Sequence, residues 1–463
     1  MRYADAEHPN PPSSSSTMPT PPRAPTSPSP ESYAVIGGEG FVGGALVTAL
    51  LAKHGPSRVA SLGPTQRRHS PAEYRFFRTD ITSPESVAQA LRASGATTVF
   101  HTASPHASAT SDVLRAVNVD GTRSVVEACR AAPGVRKLVL TSSMTVVYER
   151  GVALRNVDER MPGIEGDEEV ATYAGTKAKA EQLVLEANGK DGLLTCALRL
   201  GGIIGPGDRQ VLPGWINVYK AGQHVFQMGD NLHLFDFVTL KNVVHAHLLA
   251  ADKLGAAPLD ADELEVRLPP VAATVGRRQL PTSRHPEAVD PLDPPEYDEP
   301  PLPAARNRWN QFYDDSPSTS PSSLSVAGQA LTITNGEPVP LWSLGRAIWH
   351  AYAPEQRYRA WLPLVFPGAV GMLYAAGCEW VGWARGKRPE ECGVNRAYMA
   401  YVLDDMYFDI ERARRLLGYE PVESLEEGIR SGVEWYKADE ARQREEERSR
   451  TEEGSGHNSR KAQ

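Results

Sequence analysis

Short apolar runs alternate with segments whose apolar residues recur every three or four positions along the first half of the chain. The apolar runs predict buried strands at 33–36, 58–62, 74–78, 97–101, 137–142 and 194–199. The periodic segments between them predict helices, of which the clearest lie at 41–50, 86–94, 113–131 and 173–188. Strands and helices that alternate in this order are typical of an α/β fold with a doubly wound parallel sheet. We predict that fold, together with a smaller C-terminal substrate domain.

Composition divides the chain into five parts. Residues 1–31 and 255–326 are rich in Pro, Ser and Thr, and such segments bury too little apolar surface to offset chain entropy, so we expect both to be disordered. Residues 437–463 are nearly all charged or small and form no apolar stripe, so we expect a solvated tail. The folded parts are then 32–254, which carries the sheet and part of the substrate pocket, and 327–436, a substrate-binding region.

Charge and cysteine usage exclude several classes of protein. The 49 Lys and Arg residues are outnumbered by 57 Asp and Glu, and the net charge of −8 argues against nucleic acid as a partner. The four cysteines show no Cys-x-x-Cys spacing, which argues against a zinc site or a disulfide framework and favours a reduced intracellular compartment. His245 and His247 stand two positions apart on a predicted helix, so they point to different sides and we assign them to packing. We predict no metal site and, from the polar N-terminal residues, no secretory signal.

A glycine pattern follows the first predicted strand and opens the first predicted helix. Gly37 permits the tight turn, Gly40 lets the backbone approach a pyrophosphate, and Gly43 lets helix and strand pack closely. The free N–H groups and the positive dipole end of the helix then attract phosphate groups. The pattern predicts a Rossmann site for a nicotinamide dinucleotide, in which Phe41 and Val42 also contact the cofactor.

The end of the second predicted strand bears on the choice between NAD and NADP. An acid is expected there for the ribose 2′-OH of NAD, but the sequence from Ser61 to Pro64 has none, and Arg67 and Arg68 follow. An arginine at this place pairs with a 2′-phosphate or is a solvated loop residue, and we favour NADP over NAD on this ground. Asp80, after the third strand, either meets the adenine edge or caps the next helix. The predicted cofactor contacts in this part of the chain are Ser61, Arg67, Asp80, Ile81 and Ala103.

A tyrosine and a lysine four residues apart provide candidate catalytic chemistry. Tyr173 and Lys177 lie on one face of a predicted helix. A phenol has a pKa of about 10, too high for a base at neutral pH, but a neighbouring cation or an oxidised nicotinamide stabilises the phenolate. Ser143 ends a predicted strand at the carboxyl edge of the sheet, where such folds bind ligands, and its hydroxyl can hold a substrate oxygen. We predict that these three residues are catalytic.

These motifs resemble the extended short-chain dehydrogenase/reductase superfamily and, within it, the 3β-hydroxysteroid dehydrogenase family. The general resemblance is carried by Gly37–Gly43, Val99–Pro105, Asn118–Thr122, Thr141–Ser143 and Tyr173–Lys177. A narrower resemblance, to the sterol-4α-carboxylate 3-dehydrogenase branch, is carried by Glu181–Asn188, Leu194–Arg199, Gly205–Asp208, Asn242–His247, Ala327–Pro338 and Leu416–Pro421. It covers about residues 33–436 apart from the Pro-rich insertion.

The resemblance implies oxidation of a sterol 3β-hydroxyl to a ketone, with loss of a C4 carboxyl group as carbon dioxide. Tyr173 is then the base, Ser143 holds the substrate oxygen, and Lys177 also holds the nicotinamide ribose. Asn118 positions a proton-relay water or packs a helix. The alternatives are a 3β-hydroxysteroid dehydrogenase/isomerase, another reductase of the extended family, and an NAD(P)-sensing regulatory protein without turnover.

An apolar stretch at 361–383 bears on membrane association. About 20 apolar residues can span a bilayer, but Pro and Gly interrupt this stretch. It is therefore a spanning helix, an element that dips into a membrane or covers a lipid-like substrate, or an ordinary buried helix. The resemblance favours peripheral contact with the endoplasmic reticulum membrane, and it implies a homodimer or a sterol C4-demethylation complex as partners.

Overall fold

The computed structural model describes residues 31–66, 74–149, 152–164, 172–256, 325–355, 364–386, 392 and 394–460. The predicted N-terminal tail, Arg67 and Arg68, most of the Pro-rich insertion and the first residues of the apolar stretch therefore lie outside the described residues.

The strands are numbered in chain order. They are β1 (Tyr33–Ile36), β2 (Val59–Gly63), β3 (Arg75–Arg78), β4 (Thr98–His101), β5 (Lys137–Ser143), β6 (Leu154–Val157), β7 (Leu194–Leu200), β8 (Gly202–Ile204), β9 (Phe226–Met228), β10 (Leu234–Phe235), β11 (Phe237–Thr239), β12 (Ala330–Ile333), β13 (Val339–Pro340), β14 (Leu364–Phe366) and β15 (Met406–Phe408).

The α-helices are numbered in the same way. They are α1 (Phe41–His54), α2 (Pro84–Ser94), α3 (Ser111–Leu114), α4 (Thr122–Ala131), α5 (Tyr173–Glu186), α6 (Val211–Lys220), α7 (Leu240–Lys253), α8 (Leu341–Tyr352), α9 (Gly368–Ala384), α10 (Arg396–Leu403), α11 (Glu411–Leu417) and α12 (Leu425–Arg460). A π-helical segment, Arg115–Gly121, joins α3 to α4.

Seven parallel strands form the main sheet in the order β12-β7-β5-β4-β1-β2-β3. The chain winds outward from β1 in one direction through β2 and β3, and in the other from β4 onward. The switch between the two directions lies between β1 and β4, and folds of this kind bind ligands at the carboxyl ends of the strands beside that point. The predicted doubly wound α/β fold is confirmed.

Apolar residues cover both faces of this sheet. One buried cluster joins β1 and β7 to α1 and α7, with Leu46, Leu50 and Val243 fully buried. The other joins β2 and β4 to α2, α4 and α5, with Leu91 and Val125 at its centre. Strands covered on both faces become continuous apolar runs, which explains why their positions could be read from the sequence.

The division of the chain at 254 and 327 does not follow the sheets. The seventh strand of the main sheet, β12, comes from within the region 327–436, and it pairs with β7. A second sheet, in the order β13-β10-β15-β6, takes β6 and β10 from the first half of the chain. The described residues from 32 onward form one compact unit, because strands from both sides of the insertion pair with each other.

The helix α9 presents an apolar face to solvent. Val370, Leu373, Tyr374, Trp380 and Val381 recur at helical spacing and are 42–75% exposed. The glycines at 371 and 377 do not interrupt this helix. In the described part of the chain, no helix is both long enough and apolar enough to cross a bilayer.

The charged C-terminal segment continues a helix. Residues 437–460 extend α12, and side chains 441–449 are exposed, as expected for a segment without an apolar stripe. Its first turns are held by the ion pairs Lys220–Glu440, at 2.7 Å, and Arg209–Asp439, at 3.2 Å.

Candidate functional site

The glycine loop makes a tight turn between β1 and α1. Gly37 has a φ of +83°, which favours glycine, and its N–H donates to the Leu62 carbonyl at 2.8 Å. A Cβ on Gly43 would lie 2.1 Å from the Gly37 carbonyl oxygen and 2.6 Å from Thr102 Oγ1. No side chain caps the first turn of α1. The loop therefore leaves backbone N–H groups at the start of the helix for an anion.

A cleft of about 870 Å³ opens along the carboxyl edge of the main sheet. The predicted cofactor and catalytic residues that line it are Gly37, Gly40, Phe41, Val42, Gly43, Asp80, Ile81, Ala103, Ser143, Tyr173 and Lys177. Ser61 and Asn118 are buried and do not line the cleft, and Arg67 lies outside the described residues. Most of the predicted site residues therefore meet at one surface.

One end of the cleft contains a carboxylate inside the glycine loop. Glu39 is 8% exposed, and its Oε1 accepts hydrogen bonds from Ser61 Oγ at 2.9 Å and Tyr74 Oη at 2.8 Å. Ser61, predicted to contact the cofactor, is fully buried and holds Glu39. Burial, followed by the bond to Glu39, raises the pKa of Tyr74 to about 12, so this phenol remains a donor.

Asp80 forms a local turn at the same end. Its Oδ1 accepts hydrogen bonds from the Thr82 N–H at 2.9 Å and from Thr82 Oγ1 at 2.7 Å, which lowers the pKa of the carboxyl group. The cap of α2 is Ser83, whose Oγ accepts from the Ser86 N–H. Of the two roles considered for Asp80, capping of α2 is therefore wrong, because Ser83 occupies the capping position.

Tyr173 begins α5 at the other end of the cleft. The side chains of Ser104 and Ser143 lie beside its phenol. Burial raises the pKa of the phenol, and these two hydroxyl groups oppose that rise. The sequence argument assigned the acidity of this phenol to Lys177, but burial dominates in the protein alone. The phenol is therefore neutral at pH 7 until a further charge enters the cleft.

Lys177 is 3% exposed, and its ammonium donates to the Thr141 carbonyl at 2.6 Å. Burial lowers the pKa of this ammonium to about 8, and the negative charge of Glu181 opposes the shift. Burial, followed by the charge of Lys177, lowers the pKa of the neighbouring His101 to about 3. Lys177 is therefore a cation at neutral pH beside an uncharged imidazole.

A buried ion pair supports the floor of the cleft. Glu181 follows Lys177 on α5 by one turn, and its Oε1 lies 2.7 Å from Arg199 Nη2 on β7. Both side chains are at least 92% buried. Ser142 Oγ donates to Glu181 Oε2 at 2.6 Å, so the carboxylate also fixes the strand that ends at Ser143.

Asn118 lies in the π-helical segment and is 2% exposed. Its Oδ1 accepts from Ser104 Oγ at 3.0 Å, and its Nδ2 donates to Thr176 Oγ1 at 3.1 Å. It thus ties the loop after β4 to α5, beside Tyr173. Of the two roles considered from sequence, these contacts support packing; a water relay stays a prediction.

The two histidines of α7, His245 and His247, have structural partners. His247 is buried between Thr141 Oγ1, at 2.7 Å, and the Val243 carbonyl, at 2.7 Å. His245 packs against the Tyr419 ring. Among the residues that the structure describes, no cluster of His, Cys, Asp and Glu could hold a metal ion.

Sequence reasoning missed four contributors to this site. Glu39 stands inside the glycine pattern and was given no role, although an acid between such glycines is a visible signal. Glu181 and Arg199 were quoted only as family motifs, and Ser104 only as part of one. The roles of Ser104, Arg199 and Glu181 depend on contacts between the loop after β4, β7 and α5, and the spacing of residues along the chain does not reveal these contacts.

The residues of the cleft fit a nicotinamide dinucleotide. The glycine cradle, where side chains would collide with backbone, lies at the start of α1, and the Tyr173–Lys177 face lies in the same cleft. The cradle suits a pyrophosphate, and the cleft between the two features accommodates an elongated molecule.

Comparisons with known proteins agree with this geometry. Residues 34–262 match the 3-beta hydroxysteroid dehydrogenase/isomerase family. The chain is 32% identical over 412 residues to the sterol-4-alpha-carboxylate 3-dehydrogenase, decarboxylating, of Schizosaccharomyces pombe, which covers 88% of this chain and 98% of that protein. It is 39% identical over 222 residues to the protein of the same name from Homo sapiens, and this match covers 48% of this chain and 57% of that protein.

Solved structures show the same fold at lower identity. UDP-glucose 4-epimerase of Thermotoga maritima aligns with a TM-score of 0.55 at 17% identity over 88% of this chain and 99% of that one. A dTDP-glucose 4,6-dehydratase of Bacillus anthracis, solved in complex with NAD, aligns with a TM-score of 0.55 at 14% identity over 89% of this chain and 98% of that one.

Proposed function

Because the chain belongs to the 3-beta hydroxysteroid dehydrogenase/isomerase family, we propose that it oxidises the 3β-hydroxyl of a 4α-carboxysterol with accompanying loss of the C4 carboxyl group. The observation that carries this proposal is the meeting of Tyr173, Ser143 and Lys177 with the glycine cradle in one cleft. The decarboxylating dehydrogenase of Schizosaccharomyces pombe aligns over nearly its whole length, which supports the same activity here.

The chain's own residues divide the work of the oxidation. Ser143 and Tyr173 line the same cleft and receive the substrate hydroxyl between them. Tyr173 accepts the hydroxyl proton as the ketone forms, and Lys177 supplies a fixed positive charge four residues along α5. The glycine loop Gly37–Gly43 and Lys177 would hold an oxidised nicotinamide dinucleotide, which would supply the hydride acceptor for C3 and a positive charge that favours the phenolate of Tyr173.

The second step follows from the ketone. A 3-ketone beside a C4 carboxyl group is a β-keto acid, in which the bond between C4 and the carboxyl carbon breaks and its electrons form an enol. Carbon dioxide leaves without a further cofactor. No residue of the chain is assigned to this step, because the protein has only to produce the ketone.

Products distinguish this activity from the alternatives. The purified chain is incubated with a 4α-carboxysterol and with the matched sterol that lacks the carboxyl group, and ketone, carbon dioxide and reduced cofactor are measured. Equal amounts of all three from the carboxysterol support the proposal. A ketone with a shifted double bond from the uncarboxylated sterol indicates a dehydrogenase/isomerase, and cofactor binding without any product indicates a sensor.

A nicotinamide dinucleotide is the cofactor that the cleft fits. Several solved structures with the same fold are named as complexes with NAD. The prediction of NADP rests on Arg67 and Arg68, which lie outside the described residues. Glu39, which lines the same end of the cleft, bears on the same choice.

We also propose that the exposed face of α9 contacts the surface of the endoplasmic reticulum membrane. Trp380 and Trp383 are 68% and 73% exposed, and aromatic side chains favour the boundary between water and lipid. A lipid-like substrate could then pass between membrane and cleft. A homodimer or a complex with other enzymes of sterol C4 demethylation stays a prediction.

A further inference from the structure

Glu39 places a carboxylate at the end of the cleft where the adenosine ribose of a dinucleotide lies in this fold. That ribose meets the carboxyl end of the second strand, here Leu62 and Gly63. The glycine loop contacts the same place, because the Gly37 N–H donates to the Leu62 carbonyl at 2.8 Å. Glu39 lines the cleft together with Gly63 and Pro64.

The carboxylate is held rigidly. Ser61 Oγ and Tyr74 Oη both donate to Oε1, and Ser61 is fully buried. A Cβ on Gly38 would lie 2.4 Å from Ser61 Oγ, so the loop is pressed against β2 and a side chain at that position would displace it. Glu39 therefore cannot withdraw from the cleft without breaking these contacts.

We infer that Glu39 determines cofactor specificity and selects NAD over NADP. The inference rests on the proposed dinucleotide site. A ribose 2′-OH can donate a hydrogen bond to the carboxylate, which is the role of the strand-end acid that this sequence lacks. A 2′-phosphate carries about 1.5 to 2 negative charges, and it would bring them next to the Glu39 carboxylate.

This inference reverses the expectation drawn from sequence. The absence of an acid at the end of β2 favoured NADP, but the glycine loop, which packs against β2, supplies an acid at the same end of the cleft. Position 39 lies 22 residues before Ser61, so the two become neighbours only in the folded chain.

The test is a binding measurement that needs no turnover. Dissociation constants for NADH and NADPH are measured by calorimetry on the full chain and on Glu39→Gln, which retains the size of the side chain and removes its charge. Glu85→Gln, with the same change of charge on an exposed side chain of α2, is the matched control.

The native chain is expected to bind NADH about 30-fold or more tightly than NADPH, a difference of about 2 kcal/mol, because the 2′-phosphate and the Glu39 carboxylate repel each other. Glu39→Gln should reduce that ratio about tenfold, chiefly through tighter binding of NADPH, and Glu85→Gln should leave it unchanged. If Glu39→Gln does not fold, the ratio for the native chain still decides.

Equal or tighter binding of NADPH by the native chain overturns the inference, and so does an unchanged ratio in folded Glu39→Gln. Binding of neither dinucleotide overturns the proposed function, and the inference with it. These results are distinguishable, because the first two require that a dinucleotide binds.

Discussion

Charged side chains are usually exposed and large apolar side chains usually buried. The floor of the cleft departs from the first rule, and the outer face of α9 departs from the second. Under the cleft, Lys177, Glu181 and Arg199 are charged groups that are more than 90% buried. On α9, Leu373 and Trp380 are large apolar groups that are 75% and 68% exposed. Folded proteins rarely bury charges or expose apolar patches without a reason, and the catalysis and the lipid contact proposed above would account for these two regions.

The two regions also differ in what holds them in place. Each buried charge has a partner that fixes its position, such as the Thr141 carbonyl for Lys177 and Glu181 for Arg199. On α9 the buried positions are the small residues Gly371, Ala375 and Gly382 of the opposite face, and Glu379 accepts a hydrogen bond from Arg396 Nε at 2.7 Å. Substitutions under the cleft should therefore change chemistry and stability, whereas substitutions on α9 should change neither.

The largest effect is expected for Tyr173→Phe. Loss of the base should lower kcat/KM for a 4α-carboxysterol about 10³-fold, while the dissociation constant for the cofactor stays within about threefold. Steady-state kinetics and calorimetry measure the two quantities. Tyr352→Phe, which removes a phenol outside the cleft, is the control, and a similar loss in both variants would remove the special role of Tyr173.

Arg199→Met should lower the free energy of unfolding, although Arg199 itself does not line the cleft. It leaves Glu181 as a buried carboxylate without its ion pair, which costs about 3–5 kcal/mol of unfolding free energy. Denaturant unfolding measures this cost. Arg130→Met, which breaks the exposed pair with Asp191 at 2.7 Å, should cost at most about 1 kcal/mol.

A double variant sharpens that comparison. Glu181→Leu combined with Arg199→Met removes both charges and should recover much of the lost stability. If the double variant is as unstable as Arg199→Met, burial of an uncompensated charge is not the cause of the loss.

Lys177 should give stability a dependence on alkaline pH. Its pKa is about 8 in the folded chain and near 10.5 when unfolded, so between these values the unfolded state holds a proton that the folded state has released. Stability contributed by Lys177 should therefore rise with pH across this window, by up to about 3 kcal/mol. The measurement is the difference in unfolding free energy between the native chain and Lys177→Met, without cofactor, and a difference independent of pH would contradict the account.

The smallest effect on the fold is expected on α9. Replacement of Leu373 and Trp380 by Gln should change unfolding free energy by about 0.5 kcal/mol or less, since both are exposed. Binding to vesicles of phosphatidylcholine and phosphatidylserine, measured by sedimentation, should fall about tenfold. Val422→Gln, at an exposed apolar residue outside α9, is the control, and equal binding by all variants would exclude this face as the membrane contact.

Sequence alone predicted those strands of the main sheet whose apolar runs match their burial in the folded chain. Strands β1, β4, β5 and β7 lie within a residue of the predicted positions, because each is covered on both faces. The pattern did not identify β12, which is as short and as buried as β1 and β4 but stands beyond the Pro-rich insertion, away from the alternation of strands and helices in the first half of the chain. Its place beside β7 is a property of the folded chain.

The candidate site was predictable to the same degree. The glycines and the Tyr173–Lys177 spacing identify local geometry, and the structure brings both to one cleft. The state of the phenol was not predictable, because burial and the contacts with Ser104 and Ser143 set its pKa. The position of Glu39 against Ser61 is likewise a property of the folded chain.

The most direct test of the catalytic account follows the hydrogen atom at C3. A 4α-carboxysterol that carries deuterium on C3 is mixed with the enzyme and oxidised cofactor for a single turnover. The account predicts deuterium on the nicotinamide ring of the reduced cofactor from the native enzyme, with carbon dioxide in equal amount, and almost none from Tyr173→Phe with cofactor bound. Deuterium transfer by Tyr173→Phe at the native rate would contradict it.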